Sequence, residues 1–171
     1  QALLLSRFAP KVALCLDQDS AGIEAIKRSI PVLEKRNLLI SVIATLEKDP
    51  DEALKKNPGG FKKAIKNDIE VYDFLINKFL TENDPETSMG KKKISDEMLP
   101  LISAIQNEIV KEHYLKKLSE VINTSYDSLT RQIDKKDEKP EEVFQKVQKA
   151  NRREMLEEYL LGLVLQTAYQ K

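Results

Sequence analysis

The order of apolar and polar positions divides the chain near residue 60. Before that point two apolar runs stand out, residues 12–16 (VALCL) and 38–46 (LLISVIATL), the second rich in β-branched side chains. Runs of this length, bounded by turn residues, suit buried strands. Between them Ile23, Ile26, Ile30 and Leu33 recur at helical spacing. Ser20 is placed to cap that helix, and Pro31 is expected to kink it or end it in an irregular turn. Strand, helix, strand in this order predicts a βαβ unit with parallel strands and a right-handed crossover. Residues 1–8, with Leu4, Leu5 and Phe8 in helical register, read as the end of a helix stopped by Pro10.

After the NPGG at residues 57–60 the pattern is helical and strand signals end. Phe61, Ala64 and Ile65 suggest a short helix; Ile69, Tyr72, Leu75, Ile76, Phe79 and Leu80 suggest a longer one. Residues 82–90 read as a break. Ser95 then caps a stripe of Met98, Leu101, Ile102, Ile105 and Ile109. Tyr114, Leu115, Leu118, Val121 and Ile122 make the next stripe, and Thr124 or Ser125 caps a short helix carrying Leu129 and Ile133. The polar residues 134–140 read as a linker before a last helical stretch whose residues 159–165 are apolar nearly all round. The expected fold is therefore α/β, a partial parallel sheet built on βαβ, followed by an all-α helical bundle. The expected divisions are residues 1–57, 58–134 and 135–171.

Composition narrows the function only a little. Of 171 residues 33% are charged, and the formal net charge is +0, so the overall charge does not mark the chain as a polyanion binder. A local basic cluster remains: Lys55, Lys56, Lys62, Lys63 and Lys66 read either as a solvated helix face or as a contact to nucleic-acid phosphate. The single cysteine, Cys15, can form no intrachain disulfide and reads as a buried core thiol in a reducing compartment. His113, the only histidine, reads as packed or surface. No stretch reaches the ~18 apolar residues of a membrane span, and no secretory signal is present. The chain opens at Gln1 in the middle of a pattern, which reads as a fragment.

The candidate chemistry lies where the two apolar runs end. Asp17 and Asp19 follow the first, Asp49 and Asp51 the second. Hard divalent cations take oxygen ligands, and unpaired carboxylates that crowd together need a cation. Neighbouring strands lie about 4.8 Å apart, so Asp17, Asp19 and Asp49 are expected to converge at the carboxyl edge of the sheet, where open α/β sheets bind ligands. The plainer alternative is that Asp17 and Asp19 form a turn and a helix cap.

The segment LDQDSAG at residues 16–22, with Ala25 and Arg28, and KDPDE at 48–52, with Leu54, resemble the TOPRIM module of bacterial DnaG-type primases. The order of later segments is similar too: residues 61–79, KEHYL at 111–115, Leu118, residues 125–133, and REMLEEYLLGL at 153–163. The resemblance implies an enzyme that makes short RNA primers from ribonucleoside triphosphates on a single-stranded DNA template, passing through an RNA–DNA hybrid. It implies magnesium or manganese held by Asp17, Asp19, Asp49 and Asp51, and a replicative helicase as partner. It also implies a TOPRIM-type sheet over residues 1–57, a helical part of the polymerase domain over 58–134, and the start of a helicase-binding region after 135. The implied setting is the bacterial cytoplasm at the replisome, with no membrane. Gly22 matches the family's glycine at the tight helix entry; Gln18, where a small residue is common, and Pro31 depart from the pattern. The family's zinc-binding module, basic subdomain and first TOPRIM strand with its catalytic Glu are upstream features. No acid precedes Asp17, so no catalytic residue is assigned, and this chain alone is expected not to synthesise primers. Other readings are another TOPRIM enzyme (a topoisomerase, an OLD-type nuclease or a phage primase–helicase) or a non-catalytic module that binds a replication protein.

Overall fold

The two apolar runs pair as parallel strands with a helix between them. The computed structural model describes residues 2–45, 47 and 49–137. A short helix α1 (Ala2–Leu5) leads into β1 (Lys11–Leu14), which pairs with β2 (Leu39–Val42) so that Val12 stands opposite Ile40 and Leu14 opposite Val42. Between them α2 (Ser20–Glu34) buries Ile23, Ile26, Ile30 and Leu33, the stripe read from the sequence. The helix passes through Pro31 to Glu34 without the expected irregular turn. Proline forfeits one main-chain bond and crowds the preceding turn, and here that loss falls in the last turn. Asp19, not Ser20, is the cap: its carboxylate accepts from the Gly22 N–H.

Strand structure does not stop at residue 57. After α3 (Pro50–Lys56) and α4 (Pro58–Lys66), Ile69 and Glu70 form β3 (Ile69–Glu70), antiparallel to β2, with Val42 opposite Ile69 and Ser41 opposite Glu70. The sheet is therefore mixed, ordered β1-β2-β3. Ile69 belongs to a strand rather than to the following helix. Two residues carry no readable alternation, so the period-based reading had nothing to detect.

The helical part comprises α5 (Val71–Glu82), α6 (Ser88–Ser103), α7 (Glu108–Val121) and α8 (Tyr126–Asp137). Its stripes form as expected, but two boundaries move. Thr87 caps α6, two turns before the expected start, and Ser95 is buried inside that helix with its hydroxyl on the Lys92 carbonyl. The chain then turns at residues 104–107, Asn107 caps α7, and Ile109 is 80% exposed on α7 instead of extending the α6 stripe. Ser125 accepts from the Ser128 N–H at the start of α8, and Leu129 and Ile133 are buried. α8 takes in the first residues of the expected linker; residues 138–171, with the last helical stretch, lie outside the described residues.

Sheet and helices share one apolar core. Ile30 of α2, Leu75 of α5, Ile94 and Ile102 of α6 and Leu118 of α7 are fully enclosed in it. Each such side chain contributes roughly 2 kcal/mol of burial free energy. Residues up to Ile133 form one compact unit, and a second begins at Asp134. No helix among the described residues is long and apolar enough to cross a membrane.

Candidate functional site

Asp17, Asp19 and Asp49 sit on the two loops that leave β1 and β2 at their carboxyl ends and Asp51 in the first turn of α3, and local backbone needs explain how each is held. After β1 the chain must turn into α2 at once. It does so by laying the Asp17 carbonyl against the first turn of α2 at Gly22, where an added Cβ would stand 1.7 Å from that oxygen. Only glycine fits there. The Asp19 carboxylate then caps the helix through one oxygen, at 2.8 Å from the Gly22 nitrogen. Asp17 is exposed, and its carboxylate has no hydrogen-bond or ion-pair partner among the described residues.

The second loop is built the same way. Asp49 caps α3, its Oδ1 accepting from the Asp51 N–H at 2.6 Å and, more loosely, from Glu52. Pro50 opens the helix, where its missing N–H costs nothing. Asp51, in the first turn, pairs with Lys55 one turn on at 2.5 Å.

A side chain not assigned from the sequence joins the loops. The Gln18 amide donates to the Thr45 carbonyl and reaches the Thr45 hydroxyl at 3.3 Å, and that hydroxyl donates to the Glu47 carbonyl at 2.7 Å. No sequence signal marks this link, because the partners are 27 residues apart and neither type is diagnostic. The departure of Gln18 from the family pattern was the only hint.

The donor set fits a hard divalent cation by chemistry. Asp19, Asp49 and Asp51 each keep one carboxylate oxygen with no hydrogen-bond partner among the described residues, and Asp17 keeps both. The four are not drawn into a tight cluster: among the described residues no group of three or more His, Cys, Asp or Glu is gathered to hold a metal ion. The capping role foreseen as the plainer alternative is thus real for Asp19, and Asp49 shares it.

The five lysines divide into two sets. Lys55 and Lys56 of α3 are engaged with Asp51, and with Glu47 and Glu52, respectively. Lys62, Lys63 and Lys66 of α4 are exposed and make no ion pair among the described residues. Cys15 is half-buried rather than fully enclosed, and burial pushes its thiol pKa up, away from a reactive thiolate. His113 is exposed, its ring edge-on to Tyr114.

A family model described as Toprim-like matches residues 1–54, and one described as the DnaB-helicase binding domain of primase matches residues 72–125. The DNA primase of Clostridium acetobutylicum is 30% identical over 122 residues, covering 70% of this chain and 20% of that protein. A DNA primase domain from Pseudomonas aeruginosa superposes with a TM-score of 0.60 at 22% identity, over 76% of this chain and 42% of that one. A DnaG primase catalytic domain bound to single-stranded DNA gives 0.58 at 23%, over 74% of this chain and 42% of that one. At that identity the structural likeness speaks for the fold. The chain spans about a fifth of the length of the curated relatives it matches.

Proposed function

We propose that this chain, which belongs with the bacterial DnaG-type primases, serves in the synthesis of short RNA primers on single-stranded DNA. In this reading residues 1–57 are the later part of the TOPRIM module and residues 58–134 the helical part of the polymerase domain. The substrates are ribonucleoside triphosphates, the product is held as an RNA–DNA hybrid, the partner is the replicative helicase, and the setting is the bacterial replisome. Use of divalent metal is general to the Toprim primase family.

The observation that carries the reading is the joined pair of acid loops. Asp17 and Asp19 leave β1, Asp49 and Asp51 leave the parallel β2, and Gln18 ties one loop to the other through Thr45. Magnesium or manganese bound there would neutralise charge on nucleotide phosphates. The chain's own residues do the positioning. Gly22 lets the Asp17 main chain pack against α2, while the caps at Asp19 and Asp49 fix one oxygen of each carboxylate and leave the other without a hydrogen-bond partner among the described residues. The exposed lysines of α4, the helix after α3, supply positive charge for a nucleic-acid backbone.

Titration of Mn²⁺ into the chain by calorimetry tests the acids. Binding by the wild type that is lost in Asp17→Ala/Asp49→Ala supports the assignment, and binding unchanged in that variant overturns it.

A further inference from the structure

The end of the sheet opposite the acid loops carries a groove of about 610 Å³, within the size range of small-molecule sites. The first residues of β1 and β2, the end of α2, the start of α5 and the turn from α6 into α7 enclose it. Leu38, Ile40 and Ile105, all buried, supply its apolar lining.

Two carboxylates line this groove in fixed positions. The Tyr72 hydroxyl donates to Glu34 Oε1 at 2.8 Å, and the Tyr114 hydroxyl donates to Glu70 Oε2. The two tyrosines are buried with their rings 4.8 Å apart, so each acid is anchored on a rigid pair. Burial first, then the bond to the neighbouring carboxylate, pushes both phenols up, and they stay donors at any working pH. Glu34 is also held by the way α2 ends. Asn37 takes a left-handed conformation, φ 52°, and the Leu38 N–H returns to the Leu33 carbonyl at 3.3 Å. That turn closes the helix directly behind Glu34. The second oxygen of each glutamate has no partner among the described residues. Lys11 is the one cation on the described wall, and it is bound to Asp68 at 2.6 Å. The groove is therefore anionic, apolar at its base and ordered before anything binds, which lowers the entropic cost of binding.

We infer that this groove is a binding site for a small aliphatic amine, a di- or polyamine cation. Its ammonium groups would take the free oxygens of Glu34 and Glu70, and its methylene chain would lie on Leu38, Ile40 and Ile105. The lining selects against other ligands. Two carboxylates repel phosphates and nucleic acid. A bare divalent ion lacks a full set of oxygens: among the described residues no group of three or more His, Cys, Asp or Glu is gathered to hold a metal ion, and an apolar lining offers such an ion nothing. An uncharged molecule would bury the two carboxylates without a counter-charge, which is costly. The groove lies at the amino ends of the parallel strands. It is thus separate from the acid loops at the carboxyl ends, and the inference stands independently of the metal and primer readings.

The test is calorimetric titration of the chain with putrescine and spermidine at about 0.15 M salt, where loose surface attraction is screened. The uncharged counterpart of putrescine, 1,4-butanediol, is titrated beside them. The variant Glu34→Gln/Glu70→Gln is compared with Glu82→Gln/Glu86→Gln, which removes as much charge at and just past the far end of α5. Glutamine keeps an acceptor for each tyrosine hydroxyl, so the groove variant retains the fold, which the melting temperature checks. The expected result is saturable binding of both amines and none of the diol, with Kd raised at least about tenfold by Glu34→Gln/Glu70→Gln and changed by less than about twofold in the control variant. A second readout needs no variant. In NMR spectra of the wild type, spermidine is expected to shift the side-chain amide signals of Asn37 and Asn107 at the groove and to leave the Gly22 main-chain signal at the acid loop in place. No saturable binding by the wild type, equal weakening in the two variants, unchanged binding in the groove variant, or shifts centred on Gly22 would each overturn the site.

Discussion

The Asp17 carbonyl oxygen fills the space that a β-carbon on Gly22 would need; the two would stand 1.7 Å apart. Gly90 repeats the arrangement at the start of α6, where a Cβ would meet the Asp84 carbonyl at 1.8 Å. In both places the helix cap, Asp19 or Thr87, lies three residues before the glycine and accepts from its N–H. Because the obstructing atom is main chain, neither neighbour can turn aside. Gly22→Ala is expected to cost about 3 kcal/mol, at the upper end of overpacking penalties, and to displace the Asp17 loop. Urea unfolding gives the first quantity. Mn²⁺ affinity reports the second, and it should fall even where folding is restored by low temperature.

Gln18 joins the acid loops from a half-buried position. Losing one such pair of hydrogen bonds costs about 1 kcal/mol, which the fold tolerates. The larger effect is expected on metal affinity, because residues that orient ligands from behind alter it by roughly 10–100-fold. Gln18→Ala is thus expected to weaken Mn²⁺ binding at least tenfold, while the melting temperature falls only a few degrees. Thr45→Val, which keeps the carbonyl acceptor, should weaken it less. Equal affinity in Gln18→Ala and wild type would show that the link is structural only.

Thr87 and Ser95 test where α6 begins. Thr87 caps the helix through the Gly90 N–H, whereas the Ser95 hydroxyl only returns to the Lys92 carbonyl within it. Removing an N-cap costs about 1 kcal/mol. Thr87→Ala should therefore destabilise by about that amount and Ser95→Ala by clearly less, as read by thermal or urea unfolding.

These positions also show what the sequence could reveal. The pairing of β1 with β2 and the buried faces of α2, α5, α7 and α8 follow from apolar spacing, because burial imposes a period on the chain. Ser95 misled because it precedes an apolar stripe that actually starts a turn and a half earlier, at Gly90 and Ile94. Ile109 kept the helical spacing across a break that Asn107 makes through capping bonds, which spacing does not register. At the site the four acids were legible as residues of interest because they follow two apolar runs. Their individual tasks were not, since capping, pairing and metal ligation all use the same carboxylate and differ only in what geometry brings to it.

Asp68 ties two strands of the sheet together. It accepts from Lys11 at the start of β1 and from the Ser41 hydroxyl in β2, one residue before β3 begins. The hydrogen bond from Lys11, then that from Ser41, holds its carboxyl below the usual aspartate range. A carboxyl whose folded pKa lies below its unfolded one adds stability above the unfolded value, about pH 4, and loses it as pH falls through the folded value. Wild type is therefore expected to lose melting temperature more steeply than Asp68→Asn as pH drops from about 5 to 2. Parallel curves for the two proteins would contradict the tie.

The lysines of α3 and α4 differ in what they can offer a phosphate backbone. Lys55 and Lys56 already face acids on or near their own helix, so their charge is largely spent locally. Lys62, Lys63 and Lys66 are exposed, and positions 62 and 66, like 63 and 66, share a helix face. A lysine that contacts phosphate releases a condensed counterion, worth roughly 0.7 in the slope of log K against log salt for a single strand. Lys62→Glu/Lys63→Glu/Lys66→Glu is thus expected to weaken binding of an oligo(dT) strand and to flatten its salt dependence by about 2. Lys55→Gln/Lys56→Gln should change the slope by less than one contact's worth. Stability should be almost untouched in both, because surface charges contribute little. Anisotropy titrations at several potassium chloride concentrations give both slopes, and a triple variant with the wild-type slope would remove α4 from the nucleic-acid interface.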